Sequence, residues 1–533
     1  MSFATLLYVY GLLLIYGCYV TIKTLKSVHM LQQNSYRNER YVKWMKAHPK
    51  HVYMKRDLLP LLSIFLFLMG NKLDAILAFV VFFNLLTVTQ ERKPAKKPLV
   101  ITARVQRLFV IIALLYLMIY AGTFFIFGTA KDTSPFVVLI LTFAAFLNFL
   151  VVWLANTIIS PFERKINQGY MNDARRIVDE MKGMQVIGVT GSYGKTSVKH
   201  ILHTVLSSKF HTLMTPESYN TPMGVTITVR NHLKPIHEVF IAEMGAKQIG
   251  DIQEICDIVH PNYAIITAIG PQHLETFGSL ENVQKTKFEI VECLPESGVA
   301  FLNIDDQNIA TYPIQNTCKI VTYGIENPEA KIRATEVIYN EKGSNFFVEV
   351  QGEQVQFQTN LLGKHNIYNV LCAIAVGLEM GLSLKKMASA VQKVQPVAHR
   401  LALKKVNADL TIIDDAFNAN PVGAQMALEV LYAMPGKKIM ITPGMIELGE
   451  KQYECNKAFG SQAAKVCDHV ILVGRRQTIP IRDGLQEVGY PKDKYTIVSN
   501  LNDAFKVANR IMKTGEHYFI LLENDLPDAF NEK

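Results

Sequence analysis

The run Thr190-Gly191-Ser192-Tyr193-Gly194-Lys195-Thr196-Ser197 sets two glycines just ahead of a Lys-Thr-Ser triplet. Glycines let backbone N–H groups converge on phosphate oxygens, and a helix start adds a favourable dipole. In that frame Lys195 neutralises β/γ-phosphates and the Thr196 hydroxyl ligates Mg²⁺. The run is shorter than the general phosphate-loop pattern, because position 189 is Val rather than Gly. It reads as a nucleotide site, with a glycine-rich strand-to-helix turn as the plainer alternative. Glu243 closes the apolar stretch Val239-Phe240-Ile241-Ala242. An acid at such a strand end holds Mg²⁺ directly or through water, or else caps a helix. His273 follows a third apolar stretch, Tyr263–Ile269. A lone histidine is more often structural than a ligand, but one just past a strand end in this series is a better candidate.

The elements that must position these groups are legible around them. Val186-Ile187-Gly188-Val189 reads as a buried strand, and Ile201, Leu202, Val205 and Leu206 form one face of the helix after the loop. Strand, glycine loop and helix is the context a phosphate loop requires. Phe346–Val350 and its neighbours suggest a small β excursion. Further strands are expected at Leu410–Ile413, Lys438–Thr442, His469–Val473, Tyr495–Val498 and Tyr518–Leu522.

Further motifs follow in order: Tyr219–Gly224, Glu243-Met244-Gly245, His273–Ser279, Lys285–Ile290, Gly363–Asn369 and Asp414–Pro421. Together with the glycine loop they resemble the Mur ligases, ATP-dependent amide-forming enzymes of peptidoglycan synthesis. The nearest branch is the one that adds D-alanyl-D-alanine to the UDP-muramoyl tripeptide, which Glu447–Glu450 also resembles. The resemblance covers roughly residues 183–480. It implies that Gly191, Gly194, Lys195, Thr196 and Ser197 hold ATP phosphates, and that Thr196 and Glu243 hold one Mg²⁺. It implies a second metal at His273, and a carbamylated lysine at Lys287. Asn366 is expected near the adenine, Asp415 near the ribose and Arg400 at the phosphates, with Asn220 and Asn418 on the substrate side. The chemistry implied is transfer of the γ-phosphate to a carboxylate, giving an acyl phosphate that an amine then displaces. Two segments depart from the family pattern. Thr442-Pro443-Gly444-Met445 stands where Leu-Gly-Asp-Met is usual, and Leu522-Glu523-Asn524-Asp525 where Lys-Gly-Ser is usual. Both lie where the amine substrate is expected.

The first third has a different character. Five apolar runs, Phe3–Ile22, Leu58–Gly70, Ala75–Thr89, Leu108–Gly128 and Pro135–Asn156, occupy it. Three have the ~20 residues that a 30 Å hydrocarbon core requires of a helix. The second and third are short, and read as two spans or as a hairpin returning to one side. Residues 23–57 hold nine Lys/Arg and residues 90–107 hold six, while the other two connections hold one Lys each. That alternation predicts an outside amino terminus and cytoplasmic catalytic domains in a bacterial-type, multi-pass membrane protein. The formal charge of +9 supports it. Residues 1–182 carry 22 Lys/Arg against 9 Asp/Glu, a net +13, and the remainder carries −4. The basicity belongs to loops facing anionic lipid, so no nucleic-acid partner is needed. Tyr41, Trp44 and Tyr53 among the basic residues of 37–56 fit an interfacial helix better than RNA binding. Seven scattered cysteines without a C-x-x-C suit reduced thiols and neither a disulfide framework nor a zinc site.

The expected architecture is an α-helical membrane domain followed by two α/β domains. These are a transmembrane domain of about five segments at 1–160, a polar linker at 161–183, a P-loop-type parallel-sheet ATPase domain at 184–395 and a Rossmann-like domain at 396–533. The expected activity is ATP- and Mg²⁺-dependent ligation of an amino acid or dipeptide to a cell-wall precursor, which the membrane segments suggest is lipid-linked. A poly-γ-glutamate-type ligase is the alternative within that class. A nucleotide-driven transporter or sensor is the alternative outside it, although an ABC-type motor would need an L-S-G-G-Q signature that the sequence lacks.

Overall fold

The computed structural model describes residues 3–70, 72–90, 98–127, 134–272, 274–340, 343–397, 399–416, 419–446 and 448–525. The apolar runs of the first third all become helical. Phe3–Gln33 and Ala103–Phe127 are long helices, and Lys72–Val88 is a shorter one. Among the described residues Ala103–Thr123 is long and apolar enough to cross a bilayer. A second span exists if Pro135–Phe146 and Asn148–Glu180, bent by 70° at their junction, count as one. The run Leu58–Gly70 is not one helix. It divides into a 3₁₀ turn, Lys55–Leu61, with Pro60 inside it and the helix Leu62–Leu68 after it. Proline withholds an N–H from the helical ladder, which accounts for the break. Residues up to Gln168 form one compact unit, and those from Gly169 onward a second.

The first unit carries large apolar side chains on its outside, among them Phe65, Leu68, Val88, Leu117 and Phe125. Its interior holds polar groups. Lys23 is ion-paired with Asp57 and donates to the Ala145 carbonyl at 2.8 Å, while the Tyr19 hydroxyl also donates to Asp57. Asn148 donates to Thr24 and to the Tyr116 hydroxyl, both at 2.9 Å. The segment expected as a polar linker is helical. Asn148–Glu180 runs through it as a single helix with Pro161 inside. Its polar stretch is amphipathic, and Ala174 and Val178 are buried in the core of the second unit.

In the second unit the strands are β1 Gln185–Thr190, β2 Thr212–Met214, β3 Val239–Glu243, β4 Tyr263–Ile266, β5 Val299–Asn303, β6 Lys319–Gly324, β7 Ile332–Asn340, β8 Gly343–Val350 and β9 Glu353–Thr359. They form one sheet in the order β2-β3-β1-β4-β5-β6-β7-β8-β9. Strands β2 to β6 and β1 are parallel, and β7 continues them before β7, β8 and β9 turn antiparallel. The last three are the β excursion read from the sequence. A parallel sheet is covered on both faces, so its strands read as unbroken apolar runs. Alternate residues show this. Ile187, Val239 and Ile241 pack toward the helices Lys195–Leu206 and Lys364–Glu379, whereas Val186, Phe240 and Ala242 pack toward Asp251–Val259 and Leu280–Glu292. Each fully buried side chain of this kind contributes about 1.5–3 kcal/mol.

A second sheet has β10 Ala402–Lys405, β11 Leu410–Asp415, β12 Lys437–Thr442, β13 His469–Val473, β14 Tyr495–Val498 and β15 Tyr518–Glu523, ordered β10-β11-β15-β12-β13-β14. Only β10 is antiparallel to its neighbour. The fold is therefore a helical region followed by two mixed α/β sheets.

Candidate active site

Strand β1 has neighbours on both sides, β3 and β4, so the chain leaves it in opposite directions. In open α/β sheets the crevice at that switch, past the carboxyl ends of the strands, is where ligands sit. The glycine loop lies there. Gly191 adopts φ +148° and Gly194 φ +84°. A Cβ on Gly191 would stand 2.0 Å from the Thr267 hydroxyl, and one on Gly194 3.0 Å from Asn369 Oδ1. Only glycine lets the loop pass this closely. The helix Lys195–Leu206 starts with no side chain capping its N–H groups. Those first N–H groups have no intrahelical acceptor, so the loop ends in an open anion cradle. The Lys195 amine is folded back onto the carbonyls of Gly191 at 2.6 Å and Ser192 at 3.3 Å. Desolvation pulls its pKa down to about 8, with Arg400 adding to the drop and Glu243 opposing it.

Glu243 is the hub of the crevice. Its carboxylate accepts from the Thr196 hydroxyl at 3.1 Å and from the Asn220 amide at 2.9 Å. It is also ion-paired with Lys199 at 2.9 Å, and the two side chains are 1% and 0% exposed. Burial alone pushes this carboxyl up, but Lys199 and Lys195 hold it below the ordinary value. Lys287, 2% exposed on the helix Leu280–Glu292, lies within electrostatic reach of Lys195 and Glu243. Desolvation first, and Lys195 next, depress its pKa far below that of a free lysine. Burial thereby disfavours the charged form of this amine. The sequence reading did not single out Lys199, although its spacing of one helical turn from Lys195 placed it on the same face.

A second group surrounds a pocket lined by Ser197, Ile201, Leu361, Asn366 and Arg400 among others. Asn366 donates to the Leu362 carbonyl at 2.8 Å and accepts from Asn369 at 3.2 Å, which ties this helix start to the back of Gly194. Arg400 is in electrostatic reach of Asp415, Glu243 and Glu523, and burial lowers its pKa. Asp415 accepts the Leu401 N–H at 3.2 Å, and burial raises its carboxyl to about 6 despite Arg400. The structure therefore gathers Gly191, Gly194, Lys195, Thr196, Ser197, Asn220, Glu243 and Lys287 in one crevice, with Asn366, Arg400 and Asp415 beside it. His273 and Asn418 lie outside the described residues, as does Glu447.

The loop suits phosphate, and the oxygens of Thr196, Glu243 and Asn220 form a hard-donor set suited to Mg²⁺. Comparison with known proteins bears on the same segments. Residues 189–377 match the Mur ligase middle domain, and residues 399–521 match the Mur ligase glutamate ligase domain. Over 321 residues the chain is 30% identical to the UDP-N-acetylmuramoyl-tripeptide–D-alanyl-D-alanine ligase of Escherichia coli, covering 60% of this chain and 70% of that protein. The Bacillus subtilis protein of the same name is 32% identical over 283 residues, covering 52% of this chain and 60% of that one. The chain thus spans about three fifths of the length of the Bacillus relative. A crystal structure of MurF from Acinetobacter baumannii gives a TM-score of 0.62 at 25% identity, covering 67% of this chain and 77% of that one. MurF from Thermotoga maritima, solved in complex with ADP, gives 0.61 at 24% identity over 68% and 81%, a likeness of fold.

Proposed function

Because the chain belongs to the Mur ligase family, we propose that it joins a carboxylate of a muramoyl-peptide-like acceptor to an amine at the expense of ATP. D-alanyl-D-alanine or a related amine is the proposed donor, by likeness to the Escherichia coli and Bacillus subtilis relatives. The observation that carries this reading is the convergence of Lys195, Thr196, Asn220 and Lys199 around Glu243 at the ends of β1 and β3.

The glycine loop and the uncapped helix start bind ATP phosphates in this reading. Lys195 swings from the Gly191 and Ser192 carbonyls onto them, a short movement that exchanges neutral acceptors for anionic ones. Thr196 and Glu243 would hold Mg²⁺, with His273 for a second ion, where the metal would supply neutralisation of phosphate oxygens. Lys287, whose charged form burial disfavours, would add CO₂ and release one proton to become a carbamate, an anion suited to that second ion. Asn366 would hold the adenine, Asp415 the ribose and Arg400 the phosphates. Asn220 and Asn418 serve the substrate side. The acceptor carboxylate takes the γ-phosphate and the amine then displaces it. The apolar outside of the first unit supports membrane anchoring, and with it a lipid-linked acceptor.

The test is phosphate release by detergent-solubilised protein given Mg·ATP, a muramoyl-tripeptide acceptor and D-alanyl-D-alanine. Release matched by new amide is expected, falling at least about 100-fold in Lys195→Ala and in Lys287→Ala. If no acceptor–amine pair stimulates release while a transported solute does, the ligase reading is wrong.

A further inference from the structure

Asp415 and Glu523 stand opposite each other at the carboxyl ends of the parallel strands β11 and β15. Asp414, next to them, is already committed, to His399 at 3.0 Å and to Lys404. Glu523 is not. It is 1% exposed, and among the described residues neither of its carboxylate oxygens has a hydrogen-bond partner. An unmet buried carboxylate costs free energy that a chain does not carry without compensation. Next to it Asp415 accepts a single backbone N–H, from Leu401. Among the described residues, Arg400 is the cation within electrostatic reach of both. The following residue ties the position to a third strand end, since Asn524 donates to the Gly444 carbonyl at 2.6 Å.

We propose that Glu523 is the recognition site for an ammonium group of the amine donor, with Asp415, which is assigned to the ribose, contributing its charge alone; the proposal rests on the ligase reading given above. The charge count selects the ligand. Burial and Asp415 hold the Glu523 carboxyl well above the ordinary carboxylate range, with Arg400 opposing them, so a cation seated there would favour its ionised form; with both carboxylates ionised against one guanidinium, one monovalent cation balances the charge. An ammonium brings three N–H donors to oxygens that lack them. A divalent metal would sit against Arg400, and a donor carboxylate would sit against two acids. Recognition at this end of the sheet therefore depends on the donor's nitrogen and not on its carboxyl group. The ammonium is either the one that reacts or a second basic group, as in a diamino acid.

The test titrates the full-length solubilised protein, loaded with Mg·ADP, with D-alanyl-D-alanine and with L-lysine, each also in N-acetylated form. Calorimetry should show at least about tenfold tighter binding of an ammonium-bearing probe than of its fully acetylated form. Lysine acetylated at one nitrogen only separates the reacting amine from a second one. Glu523→Gln should abolish the preference, Glu523→Asp should keep most of it, and ADP affinity should stay within about twofold in both. The proposal is overturned if the wild-type protein shows no preference, or if Glu523→Gln keeps it. It is also overturned if ADP affinity falls in step with probe affinity, because Glu523 would then only support Arg400 and the nucleotide. Failure of the ligase reading shows separately, as absence of donor-stimulated phosphate release in the wild type.

Discussion

Glu243 illustrates how much one carboxylate can organise once it is out of water. Lys199, Asn220 and Thr196 all donate to it, and the Thr215 hydroxyl accepts its own backbone N–H at 3.1 Å. Removing one partner of so buried an ion pair leaves the other charge uncompensated, at a cost of about 3–5 kcal/mol. Lys199→Met is expected to lose that amount in urea unfolding at neutral pH. The acid limb gives a second reading. Glu243 is held below its ordinary value, so its contribution is present above the usual carboxylate range and lost as pH falls through the folded value. In Lys199→Met burial dominates and the carboxyl rises, so relative stability should improve on acidification instead of declining. A variant that unfolds in acid as steeply as the wild type would show that Lys199 does not set the state of Glu243.

At the scale of elements, the glycine loop was legible because its requirements are local: glycines, a lysine and a hydroxyl between an apolar strand and an amphipathic helix. Strands β2, β5, β6 and β10 went unread, but β1, β3, β4 and β11 to β15, with β8 and its neighbours, were legible for a related reason, since buried strands leave continuous apolar runs. Two helical segments were not. In 161–183 polar residues and Pro161 resembled a linker, and the burial of Ala174 and Val178 that makes it a helix is a tertiary fact. In 58–70 the apolar run hid the break at Pro60. Glu523 was visible as a departure from the family pattern, yet its unmet carboxylate depends on neighbours from β11 and on Arg400. The loop itself is open to test. Gly191→Ala places a Cβ against the Thr267 hydroxyl, which bridges the Thr190 and Tyr193 carbonyls, at a φ that alanine rarely adopts. Strain of about 1–3 kcal/mol is expected, together with at least about tenfold weaker ADP binding by calorimetry. Gly169, with nothing within 4 Å of an added Cβ, is the control. Alanine there should leave ADP affinity unchanged and stabilise the helix by about 0.5–1 kcal/mol.

For the molecule as a whole, the charge of +9 divides into a basic first third and a mildly acidic remainder. A soluble unit places apolar side chains inside and charges outside. The first unit does the reverse in part, with Lys23 and Asp57 within 3% exposure and Phe65, Leu68, Val88 and Phe125 each more than 60% exposed. In hydrocarbon such an inversion is favourable, because the polar groups satisfy each other and the apolar ones meet lipid. In water the same surface would aggregate. The protein is therefore expected to stay with the membrane fraction through high salt and alkaline carbonate, and to leave it only with detergent. Salt removes what is held by the basic loops alone, because their attraction to anionic lipid is screened within a Debye length. Release by salt or carbonate would reduce the first unit to a peripheral attachment, and with it remove the ground for a lipid-linked acceptor. Retention, followed by loss on replacing Leu114 and Leu117 with lysine in the Ala103–Thr123 helix, would assign the anchoring to that span. Two lysines near mid-bilayer cost about 2.5–3.5 kcal/mol each on the insertion scale, enough to oppose the insertion of one helix.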